Sequence, residues 1–159
     1  MSVETTTASE VMTRTLVTVE PDESPLMAWE LMWRAGVHHL PVVDARCRLV
    51  GVLGREDVAA HWSGGPAEQS RTAVRTLVQG RRCPRVAPDA PLSEVAALMA
   101  DADCGAVCVL GPDEILRGLV TTTDVLMALA GRTARPAEDV VDVKGGLFHL
   151  EPVPSVTRP

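Results

Sequence analysis

The chain has 159 residues, of which 46% are hydrophobic, 23% charged and only 3% aromatic, and its formal net charge is −6. It is too apolar to be disordered, long enough for a core of its own, and too acidic for a general binder of nucleic acid or anionic membrane. With three Trp, one Phe and no Tyr, the core must be built from Val, Leu, Ala and Met, and any flat ligand must be held mostly by aliphatic walls.

Residues 1–8 are expected to be a flexible N-terminal segment. Met1 to Glu10 is polar and Thr-rich, with neither a basic nor an apolar leader region. No apolar run reaches the roughly 18 to 20 residues that span a bilayer. These features predict a cytoplasmic protein.

From residue 9 onward the chain repeats itself. Shifted by 67, thirteen of the fifty positions from 9 to 58 are identical, without a gap. Among the pairs are Val11/Val78, Arg14/Arg81, Pro21/Pro88, Met32/Met99, Gly51/Gly118 and Asp57/Asp124. Such self-similarity marks a duplicated structural unit.

The first copy, residues 9–62, opens with a short β segment, Leu16–Val19, and a turn at Pro21-Asp22. A helix follows from Ser24 to Ala35, with Leu31, Met32 and Ala35 on one inward stripe. Two apolar strands come next, Leu40–Val43 and Leu49–Leu53, around a turn at Asp44–Arg46. A second helix runs from Arg55 to His61. Residues 63–73 are a linker, with Ser63–Ser70 read as a loop.

The second copy, residues 74–131, has the same order: Cys83–Val86, a turn at Pro88-Asp89, and a helix from Pro91 to Ala102 that turns Leu98, Met99 and Ala102 inward. Strands Val107–Leu110 and Leu116–Val120 flank a turn at Gly111–Asp113, and a last helix runs from Thr122 to Ala130. In the Pro-interrupted tail, residues 132–159, Val140–Val143 and Leu147–Leu150 have the pattern of a short strand pair around Lys144-Gly145-Gly146. The predicted fold class is mixed α/β (α+β). Each β-α-β-β-α unit has a sheet too small to stand alone, so the two should pack face to face and share a core.

The four cysteines, Cys47, Cys83, Cys104 and Cys108, contain no CxxC and predict free thiols in a reducing compartment rather than a metal site. Cys104 and Cys108, four apart, would face the same side of a strand.

The repeat resembles a known family. Gly36-Val37-His38-His39-Leu40-Pro41-Val42-Val43-Asp44, then Leu49-Val50-Gly51-Val52-Leu53 with Asp57-Val58, looks like half of a CBS domain pair, the Bateman module. Leu116-Arg117-Gly118-Leu119-Val120-Thr121-Thr122-Thr123-Asp124-Val125 is the matching stretch of the other half. The resemblance spans residues 9 to 131. It implies two repeats related by a pseudo-twofold axis, an adenine nucleotide in the cleft between them, and flat dimers.

The sharpest site motif is Gly118-x-x-Thr121-x-x-Asp124. A strand ends and a helix begins there, so free backbone N–H groups and a positive dipole end suit a phosphate. Thr121 or Thr123 adds a hydroxyl, and the Asp124 carboxylate can accept from both hydroxyls of a ribose. The same spacing also makes a helix-capping arrangement. The first copy keeps Asp57 but has Gly54 in place of Thr121, so its site should be weaker. His38 and His39 are adjacent, so on a strand they should point to opposite faces, with one toward the cleft. They make no shared metal site, and the resemblance implies phosphate contact there. Arg81, Arg82 and Arg85 are a small basic cluster against a net acidic chain. By resemblance, Thr13, Leu16, Val17 and Val37 form the adenine wall. Cys83 and Cys104, with Gly80 and Pro84, are its equivalents for the second, weaker site of Asp57, Arg81 and Arg82.

Trp29 and Trp33, spaced i, i+4, share one helix face. Their repeat partners are Ala96 and Ala100, and the excess bulk predicts a homodimer contact.

No Ser-His-Asp spacing, P-loop, HExxH or GxGxxG is present, so catalysis is not expected and no cofactor is required. The leading reading is a stand-alone regulatory module that binds an adenosine nucleotide, such as AMP, ADP or ATP, and signals to an effector protein in trans. Whether Mg²⁺ accompanies the ligand stays open. The alternatives are a ligand-free dimeric interaction or stress-response protein and, more weakly, a thiol redox sensor.

Overall fold

In the computed structural model, residues 3–14 and 16–132 are described. The strand pair expected at Val140–Val143 and Leu147–Leu150 lies outside them.

The elements follow in order as α1 (Ala8–Val11), α2 (Pro25–Ala35), β1 (His39–Val43), β2 (Leu49–Gly54), α3 (Arg55–Ala60), α4 (Pro66–Gln69), α5 (Arg75–Val78), β3 (Arg85–Val86), α6 (Leu92–Ala102), β4 (Ala106–Leu110), β5 (Leu116–Thr121) and α7 (Thr122–Leu129). β1 and β2 form an antiparallel pair, while β3 runs parallel to β4, which pairs antiparallel with β5. The mixed fold of two repeats is as expected. The first β segment of copy one is reduced to a single parallel bridge, Val19 to Val42, whereas copy two keeps a two-residue strand.

α2 begins where Pro fits, at the first helical position, and Ser24 caps it by accepting from the Met27 N–H at 3.1 Å. It ends at Gly36, in the left-handed region at φ 65°. The second copy puts Asp103 there at φ 48°. The buried stripes are Pro25, Ala28 and Met32 on α2, and Leu92, Val95 and Met99 on α6. Leu31 and Leu98 are partly buried against them. Ala35 and Ala102, expected inward, are exposed. Each is the last helical residue, where the chain already turns away through its left-handed cap.

β4 shows why the repeats must pack together. All five of its residues are buried. Val107 and Val109 face the helices of copy two. Ala106, Cys108 and Leu110 face the other way, into a layer with Leu119 of β5 and Leu49 and Val52 of β2. Strand alternation sends successive side chains to opposite faces, so both faces of this small sheet are apolar and both are covered. The middle layer is the face-to-face contact.

The two copies also exchange their leading segments. Ala8, Val11 and Met12 are buried in the core of copy two, with Val86, Leu92, Val95 and Val107. Val74, Leu77 and Val78, which open copy two, are buried in the core of copy one, with Met32, Leu40, Val42 and Leu53. Backbone bonds fix both crossings: Ala8 N–H donates to Ala90 O at 2.8 Å, and Val74 N–H to Glu23 O at 2.8 Å. The repeated glycines mark these crossings. A Cβ on Gly51 would lie 2.9 Å from Val78 Cβ, and one on Gly118 would lie 3.0 Å from Met12 Cβ.

Part of the stretch read as a flexible N-terminus is thus built into the fold, since Thr6 and Ala8 are buried. The loop read at Ser63–Ser70 contains α4, whose Gln69 is buried and donates from Nε2 to Ser63 O at 2.7 Å.

On the outside of α2, Trp33 is 72% exposed and Trp29, one turn before it, 37%. Among the described residues, no helix is long and apolar enough to cross a membrane.

Candidate functional site

Both repeats carry the same strand-to-helix junction. At β5–α7, Asp124 Oδ2 accepts from the Thr121 N–H at 2.8 Å and from Thr121 Oγ1 at 3.0 Å, and Thr121 Oγ1 accepts from the Asp124 N–H at 3.4 Å. This is a capping box. At β2–α3, Asp57 Oδ2 accepts from the Gly54 N–H at 2.7 Å. The hydroxyl missing at Gly54 is replaced by a different partner: Arg81 Nη1 pairs with Asp57 Oδ1 at 2.5 Å.

The exchanged N-terminal segment completes the first junction. Thr13 and Leu119 exchange backbone hydrogen bonds at 2.9 and 3.1 Å, and Thr13 Oγ1 donates to Asp124 Oδ2 at 3.5 Å. An open cavity of about 670 Å³ lies here between the repeats, within the size range of small-molecule sites. Thr13, Leu16 and Val17 form one wall, Val37, His38 and His39 another, and Thr121 and Thr123 a third. Asp124 does not line the cavity, but its carboxylate holds Thr13 and Thr121, which do.

A smaller cavity of about 120 Å³ lies on the other side. Asp57, Arg81, Arg82, Cys83 and Cys104 all line it. Arg85, the third member of the basic cluster, is not on its wall.

Both histidines border the larger cavity, and His39 borders the smaller one as well. Strand alternation does not separate them, because β1 starts at His39 and His38 sits in the bend before it. His38 O instead accepts the Arg55 N–H at 3.0 Å, as Gly105 O accepts the Thr122 N–H at 3.1 Å in copy two. Burial lowers the His39 pKa below its ordinary 6.5, and neighbouring His38 lowers it further, against Glu56 and Asp57 which raise it. The unfolded chain therefore takes up a proton at a higher pH than the folded one. The His39 contribution to stability is present above 6.5 and is lost as pH falls below it. Between about pH 7 and pH 5, wild type should lose more stability than His39→Gln, read by urea denaturation at each pH. Parallel pH profiles would contradict this.

Sequence reasoning missed Arg55, Glu56, Leu119 and Thr122, which also line the larger cavity. Arg55 holds the end of α2 in place, donating from Nε to Val37 O at 3.0 Å and from Nη2 to Met32 O at 3.3 Å. The signal was present in the repeat, since the 67-residue shift sets Arg55 and Glu56 opposite Thr122 and Thr123.

All four cysteines are free thiols, but Cys104 and Cys108 do not lie as expected. Cys104 precedes β4, so it does not share a strand face with Cys108. Its Sγ donates to Ala106 O at 3.4 Å, while Cys108 Sγ lies 3.9 Å from Cys83 Sγ. Among the described residues, no group of His, Cys, Asp and Glu is arranged to hold a metal ion.

Known proteins share this architecture. The chain is 25% identical over 120 residues to homoserine O-acetyltransferase of Methanohalobium evestigatum, covering 76% of this chain but 23% of that enzyme. It thus spans about a quarter of the length of this curated relative. The CBS domain pair of protein MJ0100, solved in complex with 5′-methylthioadenosine and S-adenosyl-L-methionine, superposes with a TM-score of 0.66 at 21% identity, over 79% of this chain and 97% of that one. CBSX2, solved in complex with AMP, gives a TM-score of 0.66 at 26% identity, over 79% and 96%. The CBS domain family model matches residues 8–64 and 78–131. These two stretches are the two repeats that enclose both cavities, and the chain belongs to the CBS domain family, as a tandem CBS-domain protein.

Proposed function

We propose that this protein is a regulatory module that binds an adenosine-type ligand in the larger inter-repeat cavity and passes its state to a partner protein in trans. The observation that carries the reading is the convergence of Thr13, Val37, His38, Thr121 and Thr123, from three separate segments, on one cavity of about 670 Å³. Leu16, Val17 and Val37 offer an aliphatic slot for a base. The α7 N-terminus offers N–H groups and threonine hydroxyls. Asp124 stands behind the wall that Thr13 and Thr121 form, and its Oδ1 is the oxygen a ribose hydroxyl passing that wall would meet, since the cap and Thr13 use Oδ2. The adenosine compounds bound by the CBSX2 and MJ0100 domain pairs support the same class of ligand. The smaller cavity favours a subsidiary reading: its Asp57 is already held by Arg81, so a nucleotide there must first displace that ion pair.

Thermal unfolding of the full chain with AMP, ADP, ATP and S-adenosylmethionine tests the reading. A ligand at 100 times its Kd should stabilise by about 2.7 kcal/mol. If none of the four shifts the transition, the reading is overturned.

The occupant proposed for the outer face of α2 is a second copy of this chain. Trp33 and Trp29, one helical turn apart, put two exposed aromatics there, and large exposed aromatics are the usual anchors of interfaces. Light scattering should find a dimer for wild type and a monomer for the Trp29→Ala/Trp33→Ala double variant. A monomeric wild type, or an unchanged dimer in the variant, removes this interface.

A further inference from the structure

Cys83 and Cys108 lie 25 positions apart in the chain yet meet at the edge of the layer between the repeats. Cys108 is fully buried on the face of β4 that packs between the repeats. Cys83 is partly buried and lines the smaller cavity, beside Arg81 and Arg82. Their Sγ atoms are 3.9 Å apart, and their backbones are adjacent, because the Cys108 N–H donates to Pro84 O at 3.1 Å. We propose that Cys83 and Cys108 form a hydroperoxide-sensitive dithiol, in which Cys83 meets the oxidant in the smaller cavity and Cys108 resolves it.

The chemistry balances with the hydroperoxide as the sole oxidant. The Cys83 thiol first gives its proton to solvent, the thiolate attacks the hydroxyl oxygen of the hydroperoxide, the O–O bond breaks, and the departing alkoxide (hydroxide, for hydrogen peroxide) takes a proton back from solvent and leaves as an alcohol (or water). Cys83 is then a sulfenic acid. Cys108 Sγ attacks Cys83 Sγ, its proton passes to the departing hydroxide, and water leaves. Two thiols are oxidised to one disulfide as one peroxide is reduced.

The surroundings divide these roles. The Cys108 thiol, donating to Cys83, lowers the Cys83 pKa against the opposing effect of burial, and Arg85 and Arg81 lower it further. The same donation, together with burial, raises that of Cys108. The thiolate is the reactive form, so Cys83 reacts first and Cys108 waits beside it. Cys104 is turned to Ala106 O, and exposed Cys47 sits in the β1–β2 turn, so neither shares this pairing. To close from 3.9 Å to a sulfur–sulfur bond of about 2 Å, the Cys83 side chain must draw away from the cavity wall and deeper into the layer it already borders. Oxidation would thereby reshape the smaller cavity, independently of any ligand in the larger one.

The test uses the full reduced chain, dilute, with one equivalent of hydrogen peroxide, quenched by alkylation at intervals. Peptide mapping with fragmentation should find an intramolecular Cys83–Cys108 link as the main product, reversible by dithiothreitol. Cys83 should be consumed about tenfold faster than Cys47. The link should persist in Cys104→Ala and vanish in Cys83→Ala. Because the wild-type map identifies the link by itself, a misfolded Cys108→Ala leaves the test intact. A link from Cys83 to Cys104 or Cys47 overturns the proposal. So does sulfinic acid at Cys83 without a link, or an unreacted Cys83.

Discussion

Leu77→Ala is expected to lower the free energy of unfolding by about 2 to 5 kcal/mol, the range for truncating a buried leucine. Leu77 lies in α5, before the second repeat begins its own strands, yet it is 6% exposed and packed among Met32, Leu40, Val42 and Leu53 of the first repeat. The cost arises because α5 cannot collapse into the void. Its backbone is fixed at its N-terminal end, where Val74 N–H donates to Glu23 O and Arg75 N–H to Pro21 O at 2.9 Å, and Arg75 pairs with Asp22. On its other flank, Val78 already touches the backbone at Gly51. The matched control is Leu126→Ala on α7. Leu126 is 61% exposed, so that change should stay within about 0.5 kcal/mol of wild type. Urea unfolding of the two variants decides the matter: equal effects would mean that the exchanged segment is not part of the core.

Asp124→Ala should produce two separable losses. In the absence of ligand, it removes the acceptor for the Thr121 N–H and hydroxyl, and losing one helix-capping partner costs about 0.5 to 2 kcal/mol. With ligand present, it also removes the carboxylate proposed to hold the ribose. A charge-assisted hydrogen bond contributes about 1.5 to 3 kcal/mol, so affinity should fall by about ten- to a hundredfold. Calorimetry measures the second effect independently of the first. If the cap is lost and affinity is unchanged, Asp124 is a structural residue only, and the ribose contact lies elsewhere in the cavity.

Most of the site was legible because it is local. The Thr121–Asp124 spacing is set by one helical turn, and a strand followed directly by a helix puts that turn at an edge. The repeat then transferred the same geometry to Asp57, and the missing hydroxyl at Gly54 correctly marked that junction as different. What filled the gap was not legible: Arg81 reaches Asp57 from 24 positions away in the chain, and no local pattern encodes that approach. The same holds for Cys83 and Cys108. Strand alternation put Cys104 on the same face as Cys108, but Cys104 stops short of β4, and the parallel pairing of β3 brings Cys83 beside Cys108 instead.

The sequence by itself determined the duplication, the order of elements, the aliphatic core and the strand-to-helix junctions, because each is written in contacts a few residues apart or in a repeat that can be counted. The tertiary structure alone decided three things: the exchange of α1 and α5 between the repeats, the placing of His39 on both cavities, and the meeting of the two thiols. All three arise where segments far apart in the chain cover each other's apolar faces. Two small sheets, each with both faces apolar, can only be buried by borrowing from one another, and periodicity reports that a face is apolar without reporting what will cover it.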